Sequence, residues 1–224
     1  MADDLLAATV TATVTLTGSL PAGPSPAVAD AVRELQTLSA FVDQARAGLA
    51  PPPDRRGRLA YGCFELALEH HTATAALAAL AHWGSLFALQ AALLESFVRG
   101  AWLARCADEE QLNDFEHGGL VGQDSVATLL PEVEHALGLL PRLRAQLGAA
   151  SWDSYGQFAR ARLAHLERRG GASATASYPD AELVPALRLA AALGVLSGME
   201  LAAVAGHREI AQVLKQRAEQ LATR

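Results

Sequence analysis

From His70 to Leu94 the chain carries no Asp, Glu, Lys or Arg. A run of that length either spans a bilayer as one helix or folds back on itself inside a protein core. The sequence His82-Trp83-Gly84-Ser85 decides between the two. Glycine at a helix C′ position followed by serine as the next N-cap punctuates a helical hairpin. Split there, each half is too short to cross a membrane. The segment therefore predicts a buried antiparallel pair, one helix from about Asp54 to Ala81 and one from Ser85 to about Cys106. Composition agrees. Ala and Leu make up a little over a third of the 224 residues, aromatics only 5%. These are helix-forming residues, and an all-β chain is nearly excluded.

Helical spacing continues on both sides of the hairpin. Ser25 and Pro26 form an N-cap and first-turn pair. Val28, Val32, Leu35, Leu38, Val42, Ala45 and Leu49 then follow at three- and four-residue spacing as one apolar stripe. A short helix from Asp108 to Glu116 stops at Gly118 and Gly119. The stretch from Asp124 to Gly148 is helical but broken by Pro131 and Pro141. Ser151 caps a helix through Arg169, and residues 170–177 form a small polar loop. A long helix follows from about Asp180 to Ala205, and Gly194, Gly198, Ala202 and Gly206 fall four residues apart. Such a ridge lets another helix approach closely, within the chain or across a dimer. His207 to Leu221 forms a last amphipathic helix. The N-terminal segment, residues 1–24, is different. Threonine takes every second place from Thr9 to Thr17, which reads either as a short strand or as a helix capped by Asp3 or Asp4. The expected architecture is all-α, a single domain over residues 1–224. It is a bundle of about six to eight helices around the central hairpin, with or without one N-terminal strand.

The formal net charge is −6, which gives no general nucleic-acid signal. Basic residues do cluster at Arg55, Arg56 and Arg58, and again at Arg160, Arg162, Arg168 and Arg169. Lys215 is the one lysine, so arginine is a chain-wide preference. Cys63 and Cys106 lack metal-ligand spacing and read as reduced thiols of a cytoplasmic protein. Asp3 and Asp4 replace the basic start of a signal peptide. No membrane association is expected.

Most catalytic signatures are missing. Glu132-Val-Glu-His135 is the single Glu-x-x-His, whereas a di-iron bundle needs two. His70 and His71 are adjacent and point about 100° apart on a helix. A metal or small-molecule site around His70, His71 and Glu95 is the faintest option. No phosphate-binding glycine loop and no serine nucleophile elbow is found. No cofactor is expected. Two features remain. Glu95 and Arg99 are four apart on one face of a very apolar helix, the favourable order for an ion pair. Arg160 and His165 lie about one and a half turns apart, so their side chains can converge on a phosphodiester. Histidine would move a proton there and arginine would offset developing charge. That spacing alone arises by accident on the order of one to two times in such a composition.

Context adds to it. The chain reads Leu66 to His71, then the hairpin, then Glu95-Ser-Phe-Val-Arg99-Gly-Ala-Trp102, then Cys106-Ala-Asp108-Glu109-Glu110. Trp152, His165, Arg168 and Arg169 follow. This order resembles an uncharacterised bacterial all-helical family commonly placed near HEPN-type and abortive-infection proteins, over roughly residues 55 to 220. The resemblance implies an all-α homodimer that cleaves RNA as a toxin or phage-defence factor. Arg160 and His165 would be catalytic, ordered by Glu95 and Arg99. Ala91 stands where the family often has Arg, and Ala164 and Leu166 flank His165. These departures favour the alternative, a non-catalytic helical module that binds or regulates a cognate protein.

Overall fold

A computed structural model describes residues 24–118, 126–138 and 178–222. Among the described residues the protein is all-α, with seven helices and no strand. They are α1 (Pro26–Arg46), α2 (Arg55–Ala79), α3 (Trp83–Arg105), α4 (Glu109–Glu116), α5 (Val126–Leu137), α6 (Asp180–Val204) and α7 (Arg208–Ala222). The threonine alternation at Thr9–Thr17, Pro141 and the helix expected from Ser151 to Arg169 lie outside the described residues.

The helix starts follow their capping residues. Ser25 Oγ accepts the Val28 N–H at 3.2 Å, with Pro26 behind it in the first turn. Asp54 accepts the Gly57 N–H at 2.7 Å and opens α2. Asp108 and Gln111 form a reciprocal capping box at the start of α4.

The α2–α3 hairpin forms, but its turn sits earlier than Gly84. Ala81 takes the left-handed position, with φ +54°. The His82 N–H bonds the Leu77 carbonyl at 2.9 Å and the Ala81 N–H bonds Ala78 at 3.1 Å, a Schellman closure. Gly84 is buried inside the first turn of α3, and Ser85 does not cap it. Gly206 closes α6 in the same way with φ +83°, its next residue His207 bonding Ala202. Glycine is the residue that left-handed position prefers, and Ala81 occupies it at a cost.

The basic cluster at the start of α2 is structural. Arg56 donates to the carbonyls of Leu103 and Ala107, where α3 ends, and pairs with Glu109 at 3.3 Å. Arg55 pairs with Glu116 at 2.8 Å. These arginines satisfy the last carbonyls of α3 and hold α4 in place.

Packing centres on α6. Every residue from Leu193 to Ala202 is buried, because α1, α2, α3 and α7 all pack against this helix. Its small residues allow the approach. A Cβ on Gly194 would sit 2.3 Å from His71 Nε2 on α2, and one on Gly198 would sit 2.9 Å from Val42 on α1. The ridge expected from sequence is thus used within the chain. The hairpin is closed by the same means: a Cβ on Gly100 of α3 would meet the Phe64 ring at 2.8 Å. By length and composition α3 and α6 could each cross a bilayer, and the most apolar window of each is mostly buried by its neighbours.

Candidate functional site

The charges of α3 lie along two edges of an otherwise apolar helix. Glu95, Arg99, Trp102 and Cys106 are spaced four, three and four apart, which places them on one stripe. Arg99 donates through Nε and Nη2 to Glu95 Oε1, at 3.1 and 2.9 Å. The arginine side chain is 15% exposed and the glutamate 51%. The pair expected from the four-residue spacing is therefore formed, and the arginine is the less exposed member.

One turn further along the stripe, α5 packs on α3. The Trp102 indole N–H donates to Glu132 Oε2 at 2.8 Å, and Leu129, Leu130 and Val133 bury the rest of that face. An indole N–H needs an acceptor once buried, and Glu132 supplies it. The same carboxylate acts on Cys106, whose thiol pKa is raised by burial first and by Glu132 second. On the α2 side, burial pushes the Cys63 thiol up to about 11 despite the opposing pull of Arg99. Neither thiol is set up as a nucleophile.

The second charged edge of α3 was missed by sequence reasoning. Arg105 binds Glu200 on α6 through both carboxylate oxygens, with contacts of 2.7 to 3.0 Å. The Glu200 side chain is 3% exposed and that of Arg105 39%. Burial raises the carboxyl pKa and Arg105 pulls it back. A signal was available, since Glu200 is the one charged residue between Arg188 and Arg208. Its partner, 95 positions earlier, had no signature.

His71 is 1% exposed, lies against Gly194, and has no hydrogen-bond partner for Nε2. Burial lowers its pKa to about 4, partly offset by Asp43. His71 thus lies in the core, whereas Glu95 is on an exposed edge. Among the described residues no group of three His, Cys, Asp or Glu side chains could hold a metal ion. Arg160 and His165 lie outside the described residues.

The fold and the paired charges of α3 define the class: an all-α bundle with a charged stripe on one apolar helix. The chain belongs to a family of unknown function, DUF6988, whose model matches residues 64–223. That match takes in Glu95, Arg99, Trp102, Glu132 and Glu200. No curated protein and no solved structure matches the chain.

Proposed function

We propose that this chain is a HEPN-like, RNA-cleaving helical protein, acting as a homodimeric toxin or phage-defence factor in the bacterial cytoplasm. The observation that supports this reading is the Glu95–Arg99 pair. A guanidinium only 15% exposed is held through two of its nitrogens on the edge of α3. An arginine ordered in this way fixes a positive charge on that edge, which favours a phosphodiester nearby. In the proposed reaction His165 accepts the ribose 2′-hydroxyl proton and the 2′-oxygen attacks phosphorus. The bond to the 5′-oxygen breaks, and that oxygen leaves with a proton returned by His165. Arg160 stabilises the charge gathering on the phosphoryl oxygens, and Glu95 and Arg99 order the pair.

The test compares the purified chain with His165→Ala and Arg160→Ala on a labelled RNA, with helicity checked by circular dichroism. Cleavage by the parent that both variants lose supports the reading. Equal cleavage by all three, or none by any, overturns it. A second reading, a non-catalytic module that binds a cognate protein, is favoured by the engagement of Arg55 and Arg56 in the fold. That engagement removes the most obvious basic patch from service on RNA.

A further inference from the structure

The helix α7 is seated more lightly than its neighbours. On α1 six of 21 residues are buried, from Val28 to Val42, and Arg46 ties the end of that helix to Glu65 of α2 at 3.0 Å. Even the short α4 is held by Arg55 and Arg56. On α7 only Leu214 is buried among residues 208–221. Ile210, Ala211, Ala218 and Leu221 share its inward side and stay half-buried. Among the described residues no ion pair joins α7 to another helix. Arg217 instead donates to Gln220 of the same helix, at 3.0 Å.

Seat and hinge both suit release. Leu214 reaches α6 over Gly198, 3.5 Å from the place a Cβ there would take, and Val42 of α1 lies at the same place. One leucine thus fills the gap that a glycine leaves. The turn into α7 runs through Gly206, at φ +83°, with no neighbour within 4 Å of where its Cβ would stand. The hinge therefore carries no packing that opening would break. A helix of 15 residues is marginal alone in water, and segments with few buried contacts open first. We propose that α7 is a latch. It leaves α6 as a unit about Gly206 and unfolds, while α1, α2, α3 and α6 stay packed. Its opening uncovers the place where Gly198 meets Val42. The latch is separate from the α3 stripe, and the proposal stands whether or not the chain cleaves RNA.

The chain carries its own reporter. Lys215 is the one lysine and lies on α7, so a lysine-specific endoprotease reads the opening at a single bond. When reclosing outpaces cleavage, the rate of cutting follows the open population. The full chain is digested at low protease concentration, and each rate is divided by that of a free peptide of the same α7 sequence. Leu214→Ala should be cut at least about tenfold faster than the parent. Phe64→Leu weakens the contact of α2 with α3 instead. It should lower the urea midpoint of the whole chain yet leave cutting at Lys215 within about twofold of the parent. Faster cutting of Phe64→Leu, in step with its lost midpoint, overturns the proposal, because Lys215 would then be reached only by unfolding the entire bundle. A Leu214→Ala rate equal to the parent's overturns it as well. So does a parent cut as fast as the free peptide, since α7 would then have no closed state to leave.

Discussion

Arg99 and Arg105 leave α3 within two turns of each other, each bound to a glutamate, yet the two pairs sit in different solvents. Glu95–Arg99 is local to one helix and its carboxylate is half exposed. Arg105–Glu200 joins two helices and its carboxylate is almost wholly buried. The first pair makes a charged edge at little cost or gain to the fold, because water competes for its half-exposed carboxylate. The second has removed a carboxylate from water, so the fold depends on its partner being there. One helix thus carries one pair at the surface and one pair that joins it to the core of the bundle. The same contrast extends to α6 as a whole, where His71 and Gly194 meet without room or a partner to spare.

The sharpest break of this comparison is Arg105→Ala. It strands the Glu200 carboxylate in the core and should cost about 3 kcal/mol, the low end for such a break because Arg105 is itself partly exposed. Chemical denaturation measures the loss. An apolar pair, Arg105→Met with Glu200→Leu, should recover most of it, and failure to recover would mean the pair is more than a clamp.

Acid should act next. The folded chain binds a proton on His71 only near pH 4, whereas an unfolded histidine does so near 6.5. Between those values the unfolded state holds more protons, so stability falls as pH drops through the window, by about 3 kcal/mol in total. The raised carboxyl pKa of Glu200 has the opposite sign, since protonating it relieves a buried charge. Denaturation midpoints at pH 7 and 4.5 should therefore differ in the parent, and His71→Gln should flatten that difference. A slope unchanged by the substitution removes His71 as its source.

Gly194→Ala places a methyl against the His71 ring and should cost about 1–3 kcal/mol. A neutral result in thermal melts would show that the ring can move aside. The smallest effect is expected at the exposed pair. Glu95→Gln should change stability by about 0.5 kcal/mol or less. A loss beyond about 1.5 kcal/mol would place Glu95 with the buried pair and erase the contrast.

What could be read from the sequence was whatever chemistry acts within a few residues. Ser25, Asp54 and Asp108 cap the helices they precede, and the Glu95–Arg99 spacing gives a formed ion pair. The hairpin was also legible, because its charge-free run leaves few other folds. Its turn was not. Gly84 and Ser85 have the residue types of a stop and a start, but the closing bonds fall at Ala81 and His82, and Gly84 is used for packing inside α3. Contacts between distant segments left the least trace. Nothing near Arg105 pointed to Glu200, and nothing near Trp102 pointed to Glu132. Only the isolation of Glu200 in an apolar helix hinted that it had a partner. The small-residue ridge of α6 did predict close approach, but the His71 ring could not be named as what approaches.

The central place of α6 also has a meaning in time. Roughly 75 residues separate the end of α3 from the start of α6. At about 5–20 residues per second, a ribosome needs roughly 4–15 s to make them. Throughout that interval α1, α2 and α3 are complete, and the surfaces they will close around α6 have no mate. For those seconds His71 and Val42 lack Gly194 and Gly198, the positions they close on in the finished fold.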